Sequence, residues 1–76
     1  MNHSIAVVPT SATEDTLYDM GKNGNFLRTV HVTDGQIIGS PIFAGDTCSI
    51  VCQEKGQTCI VQYSMPKFQW KNKIYK

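Results

Sequence analysis

Apolar residues alternate with polar ones along most of the chain, which is the pattern of half-buried β-strands. The runs are rich in β-branched and aromatic residues and are separated by glycine, proline, asparagine or aspartate, as strands joined by tight turns are. Six such runs lie at 4–9, 26–32, 36–43, 47–53, 58–64 and 67–75. The chain is therefore predicted to be rich in short strands.

The segment after the first run carries the signals of a helix instead. Ser11 is a candidate N-cap, and Glu14, three residues further on, completes a capping box. Acidic residues fill the first turn, where the helix dipole favours them. A short helix is predicted at 12–20, with Glu14, Asp15 and Asp19 on an exposed acidic face.

The order of these elements predicts an α+β fold. The tripeptide TDG between 26–32 and 36–43 is a strong hairpin signal. Strands that follow one another through tight turns favour a meander, and their apolar face needs cover from the helix or from closure into a barrel. The prediction is a single domain over 1–76. It contains a small antiparallel sheet of five to six strands, barrel-like if it closes, and one short N-terminal helix.

All three cysteines lie in the stretch DTCSIVCQEKGQTC, residues 46–59. Structural zinc sites usually use C-x2-C knuckles, whereas Cys48 and Cys52 are four residues apart on a strand, which separates them by about 13 Å. The same distance excludes a disulfide between them. The only nitrogen donors are His3 and His31. No metal site is predicted.

The partner of Cys59 depends on the turn of the second predicted hairpin. A three-residue loop with Gly56 in the left-handed bulge position pairs Val51 with Cys59 and turns Cys59 away from Cys52. A two-residue turn would instead place Cys52 opposite Cys59, within disulfide reach. The three-residue loop is favoured because the shorter turn needs a positive φ at Lys55. The cysteines are predicted to be small core residues, and a pairing of Cys52 with Cys59 is left open.

Composition and charge limit the classes of function. The chain has 76 residues and 41% hydrophobic residues, which suits one globular domain. Residues 1–66 hold three basic and six acidic side chains, a net −3, whereas 67–76 hold four lysines and no acid, a net +4; the sum is +1. No run reaches the roughly 20 apolar residues that span a bilayer, and 5–8 is too short for a signal peptide. A cytoplasmic chain without a membrane partner is expected.

No pattern of residues indicates catalysis or a cofactor. His31 stands alone in a strand, and the serines and aspartates form no nucleophile motif. The six glycines occur singly, so no phosphate-binding loop is predicted. The chain is predicted to be a non-enzymatic module that docks on a larger protein as an inhibitor, adaptor or regulator, of a kind that phages encode. An exposed strand could also pair edge to edge with a second copy.

The C-terminal run is the predicted contact surface. Phe68, Trp70 and Ile74 are predicted to face the core, with lysines on the other face. Lysines near an edge commonly protect it from pairing, but lysines among aromatics can also follow a phosphate backbone. Nucleic-acid binding by a small barrel is therefore the alternative function. The turn at 22–25 and the acidic helix face are further contact candidates. The predicted partner-binding residues are Lys67, Gln69, Trp70, Lys71, Lys73 and Tyr75.

Overall fold

The structure, a computed structural model, describes residues 4–76. In this part of the chain the strands are β1 (Ile5–Pro9), β2 (Glu14–Asp19), β3 (Asn25–His31), β4 (Gln36–Ile37), β5 (Ile42–Ala44), β6 (Thr47–Glu54), β7 (Gln57–Ser64) and β8 (Gln69–Tyr75). They form two antiparallel sheets. The small sheet has the order β1-β2-β3, and the large sheet has the order β4-β6-β7-β8, with β5 also paired to β6.

A shared core joins the two sheets. The two central strands of the large sheet, β6 and β7, alternate buried and half-buried residues along their length. Their buried residues lie on the inner side of the large sheet, which faces the small sheet, and the other residues lie on its outer side. The small sheet contributes Val7 and Leu17 to the same apolar cluster. The cysteine-containing hairpin, β6 and β7, lies at the centre of the large sheet.

The helix predicted at 12–20 is wrong. The residues concerned form β2, and the only helical element in the described residues is a 3-10 turn, Met20–Lys22. The capping signals serve turns instead: the Ser11 hydroxyl accepts from the Thr13 amide at 3.2 Å, and Asp19 accepts from the Gly21 amide at 3.0 Å. Short polar side chains bond to nearby backbone in turns as readily as at helix ends. The fold is therefore mostly antiparallel sheet rather than α+β.

The hairpin predicted across TDG is also wrong, because β3 and β4 belong to different sheets. β3 pairs with β2, and β4 pairs with β6. Residues 32–35 carry the chain from one sheet to the other. A Cβ on Gly35 would lie 1.8 Å from the carbonyl oxygen of Gln53, so the segment passes directly against the β6 backbone. The glycine that suggested a hairpin turn is needed here for a close approach.

The β6–β7 hairpin has the two-residue turn that the sequence disfavoured. Glu54 pairs with Gln57, while Lys55 and Gly56 have φ values of 51° and 79°. Positive φ at both central residues defines a type I′ turn, whose twist matches that of the strands. This register puts the buried residues of both strands on one side; a slip of one residue would turn one set outward. Their burial outweighs the roughly 1–2 kcal/mol cost of a left-handed lysine.

A β-bulge interrupts the pairing of β7 with β8. Gln62 opposes Asn72 and Tyr63 opposes Trp70, so Lys71 is an extra residue without a partner opposite. The bulge changes the alternation of β8 at that residue. Side chains that would share one face of a regular strand therefore lie on different sides of the sheet.

The bulge explains why the predicted core face of the C-terminal strand is wrong. Phe68 is buried, but it precedes β8. Trp70 lies on the inner side, opposite Tyr63, and is 62% exposed, whereas Ile74 lies on the outer side, opposite Ile60. The aromatic and aliphatic residues of this segment thus form no common face.

Candidate functional site

The structure distributes the six predicted binding residues over both sides of the large sheet. Trp70, Lys73 and Tyr75 lie on the inner side, as their partners on β7 do. Lys71 crosses the outer side, where its Nζ donates to Thr47 Oγ1 at 2.9 Å. Lys67 lies in the turn before β8, and Gln69, the first residue of β8, opposes Ser64. These residues do not form one stripe of alternating lysines and aromatics.

The other two predicted contact surfaces also change. Asp15 is fully buried and therefore contacts no partner, while Glu14 and Asp19 are half-buried on β2. The predicted acidic face depended on helical spacing of these three residues. Because they lie on a strand, they do not form such a face. In the turn at 22–25, Lys22, Asn23 and Asn25 are exposed and Gly24 is half-buried, with Asn23 in the left-handed conformation.

Glu54 is the centre of a polar cluster at one end of the large sheet. Its carboxylate accepts from Lys73 Nζ at 2.6 Å, from Tyr75 Oη at 3.0 Å and from the hydroxyl of Thr33. The hydrogen bonds from Lys73 and Thr33 lower the pKa of Glu54 to about 2, and the bond to Glu54 raises the pKa of Lys73. Both groups are ionised at neutral pH, so neither is suited to general acid–base chemistry. The cluster instead joins β6, β8 and the connection between the sheets.

Replacing Glu54 with Gln is expected to change the response to acid. The pKa of Glu54 is lower in the folded chain than its ordinary value of 4.5, so its stabilising effect is present above that pH and is lost as the pH falls toward 2. In acid titrations followed by circular dichroism, the wild type should lose stability over this range, and Glu54→Gln should show a smaller loss. Glu14→Gln is the control on another strand. An identical acid response of wild type and Glu54→Gln would contradict this role.

The same end of the sheet also brings together three residues of types that can ligate a metal. Cys52, Glu54 and Cys59 each offer one ligand atom, all within 4.8 Å of one another. The prediction that Cys59 faces away from Cys52 is therefore wrong. Two features oppose a cation here: burial raises the pKa of the Cys59 thiol to about 12, and the Lys73 ammonium already contacts the Glu54 carboxylate. His31 bonds to Asp34 at 2.8 Å instead, and His3 lies outside the described residues.

All three cysteines are buried thiols, which confirms their prediction as core residues. The Cys52 thiol donates to the carbonyl oxygen of Cys59 at 3.5 Å. Burial, with a contribution from the nearby Asp15 carboxylate, raises the pKa of Cys48 to about 11. Protonated, enclosed thiols are poor nucleophiles.

An open groove lies between β3 and the start of β8. Its volume is about 530 Å3. It is bordered by residues from both sheets: Arg28, Val30, His31, Tyr63, Phe68, Gln69 and Trp70. The rings of Tyr63 and Phe68 stack with centroids 4.0 Å apart and planes inclined by 7°. Both rings are almost completely buried, so they form a rigid aromatic base for the groove.

Arg28 holds the two walls of the groove together. Its guanidinium donates to the carbonyl oxygen of Lys67 at 2.7 Å and to that of Phe68 at 3.1 Å. Sequence reasoning did not identify Arg28, because its acceptors lie 39 and 40 residues away along the chain. The one local feature that could have drawn attention to Arg28 is its position on a strand with no other formally charged residue.

Trp70 is the exposed wall of this groove. It extends from the inner side of β8, as the buried Tyr63 does from β7, yet 62% of it is exposed. Residues 4–76 supply no element that covers it. A large apolar ring on the core-facing side of a strand is thus left in contact with solvent.

The outer side of the large sheet carries an apolar row that crosses β8, β7 and β6 and ends at the residue after β4. Val51 opposes Ile60, and Ile60 opposes Ile74. Ile38 continues the row, because its amide donates to the carbonyl oxygen of Val51 at 2.8 Å. Val51 and Ile60 are half-buried by their neighbours, and Ile38 and Ile74 are exposed. These four residues are called the apolar row below.

Comparisons with protein-family models, with curated proteins and with solved structures give no match to this chain. The described residues include no helix of the length and apolar character that a membrane crossing requires.

Proposed function

We propose that the chain is a non-enzymatic protein-binding module that docks on a larger protein and regulates it through the groove between β3 and β8. The observation that supports this proposal most directly is the exposure of Trp70. A tryptophan on the core-facing side of a strand is normally covered by its own domain. A partner segment that enters the groove would provide that cover.

The chemistry of the groove fits protein recognition. Tryptophan, tyrosine and arginine are the residues that most often dominate the energy of protein interfaces. Burial of a tryptophan removes on the order of 150–250 Å² from solvent, so Trp70 is a suitable anchor. The stacked Tyr63 and Phe68 rings and the bonded Arg28 are held in place before any partner arrives, which lowers the entropic cost of binding.

The arrangement of the lysines favours protein over nucleic acid as the partner. Binding of a single strand requires lysines and stacking aromatics on the same side of a surface. Lys71 and Trp70 lie on opposite sides of the large sheet, and Lys73 is bonded to Glu54. The overall charge of +1 also provides little attraction for phosphates. Regulation of the partner and a cytoplasmic location remain predictions.

Replacing Trp70 with Ala is expected to raise the Kd for the partner by about tenfold to a hundredfold or more, as truncation of an interface anchor does. Capture of the partner should therefore be strongly reduced or lost. Phe26→Ala is the matched control, because Phe26 is an aromatic strand residue that is 63% exposed on the other sheet. Tagged wild type and both variants would be incubated with lysate of the organism that makes the chain, with and without nuclease, and bound proteins would be identified by mass spectrometry.

A single protein bound in stoichiometric amount by wild type and Phe26→Ala, but not by a folded Trp70→Ala, would support the groove. Equal capture by all three chains would remove the groove from the proposal. Material that disappears after nuclease treatment would instead indicate the nucleic-acid alternative. Thermal unfolding of each variant would verify that the folds are intact.

A further inference from the structure

We propose that the outer side of the large sheet is a self-association face, on which two copies of this chain pack apolar row against apolar row in a symmetric dimer. This inference is independent of the proposed function, because the groove opens on the inner side of the same sheet. The occupant is a second copy of the chain, related to the first by a two-fold axis that runs along the row.

The geometry of the row is suited to packing between sheets. Val51, Ile60 and Ile74 lie side by side on β6, β7 and β8, and Ile38, the residue after β4, lies beside Val51. Neighbours in the row are therefore about 4.8 Å apart. The row therefore spans roughly 14 Å without a polar residue. Two sheets that pack face to face meet at about 10 Å through rows of this kind.

The polar residues of β6 and β7 beside the row are hydrogen-bonded to one another within the face. Gln53 Nε2 donates to Thr58 Oγ1 at 3.1 Å on one side of the row. On the other side, Gln62 Nε2 donates to Ser49 Oγ at 3.2 Å. Covering a hydrogen-bonded amide and hydroxyl costs far less than covering unpaired ones. These flanks would therefore form the rim of the contact without a large desolvation penalty.

Charge identifies a second copy as the occupant. The outward-facing residues of β6 and β7 are all hydroxyl, amide or aliphatic, so the centre of the face contains no ionisable group. In a two-fold contact a charge close to the axis meets its own copy, and a face whose centre is neutral avoids that repulsion. A charged partner would find no opposite charge here. A chain of 76 residues also has a small core, and small domains commonly gain burial by association.

Two lysines flank the row on this side of the sheet, and both are compatible with this arrangement. Lys76, whose amide donates to the carbonyl oxygen of Thr58 at 2.9 Å, lies two residues or about 7 Å from Ile74 along the chain. Its two copies would be roughly 14 Å apart, which exceeds the Debye length of about 8 Å at physiological salt.

The Lys71 ammonium is held at Thr47, four residues or about 13 Å from Val51 along β6. An axis along the row sends the two copies of Lys71 to opposite ends of the contact. Their separation of roughly 26 Å is well beyond the distance at which surface charges interact at physiological salt.

The test uses opposite charges at the centre of the row. Ile60 faces Ile60 of the other copy across the axis, so Ile60→Lys and Ile60→Glu each place like charges in contact. Each variant alone should dimerise at least about a hundredfold more weakly than wild type. An equimolar mixture of the two should regain dimers, because lysine then faces glutamate. Sedimentation equilibrium over roughly 1 μM to 1 mM would measure all of these states.

Val8→Lys is the control away from the row, since Val8 is an aliphatic residue, 40% exposed, on a strand of the small sheet. It should leave the dimer unchanged. A wild type that stays monomeric over the whole range, or a mixture of folded Ile60 variants that stays monomeric, would overturn the proposal. Dimers that persist in both single variants would overturn it too and would indicate pairing at a strand edge.

Discussion

Replacing Asp15 with Asn is expected to raise the free energy of unfolding at pH 7 by up to about 3 kcal/mol. Asp15 is fully buried on β2, and neither carboxylate oxygen has a hydrogen-bond partner in the described residues. Desolvation raises the pKa of this carboxyl from 3.8 to about 6. The difference of roughly 2 pH units corresponds to about 3 kcal/mol that the folded chain loses when the group ionises.

Because its pKa is raised, Asp15 makes the folded chain less stable as the pH rises. The folded chain binds the Asp15 proton more tightly than the unfolded chain does, so stability falls as the pH rises from about 4 to 6 and is level above. The Glu54 cluster acts in the opposite direction below pH 4.5. The wild type should therefore be most stable between these ranges, near pH 4 to 5, and less stable at neutral pH.

Urea denaturation at pH values of about 4.5, 6 and 7.5, which lie below, at and above the Asp15 pKa, would measure how stability changes as Asp15 ionises. Asp15→Asn should show little loss of stability over this range, whereas the wild type and the exposed control Asp46→Asn should both lose stability. A wild type whose unfolding free energy is constant from pH 4.5 to 7.5 would show that Asp15 remains solvated or paired.

The second large effect is expected at Gly35, where Ala should destabilise the fold by about 3 kcal/mol, the upper range for overpacking. Its added Cβ would overlap the Gln53 carbonyl oxygen, at 1.8 Å, and approach the backbone of Glu54. These are backbone atoms of β6, held by its pairing with β7, so they cannot move without disturbing the large sheet.

Gly21→Ala is the matched control. The nearest atom to its added Cβ is a side-chain oxygen of Asp19 at 3.3 Å, which can shift by a small rotation. Urea denaturation of the two variants at one pH would measure their unfolding free energies. The value for Gly35→Ala should be lower than that for Gly21→Ala by most of the expected effect of about 3 kcal/mol. Equal values would mean that the connection between the sheets moves away from β6 at little cost.

The site is less predictable from the sequence than the strands are. Alternation marked the residues of β8 but could not reveal the bulge at Lys71, because a bulge depends on how two strands pair. Arg28 and Glu54 likewise have their main partners 19 to 40 residues away in the chain. No local pattern records such contacts.

The sequence by itself determined most of the extended segments, with β2 as the exception. β-branched and aromatic alternation is a local property, and it located β1, β3, β6, β7 and β8 and the burial of the cysteines. Only the tertiary structure decided the rest. β2 became a strand because it pairs on both sides with β1 and β3, and the register of β6 with β7 followed from the need to turn both buried sets toward the small sheet. Pairing and burial outweigh local propensity, because they involve many residues at once.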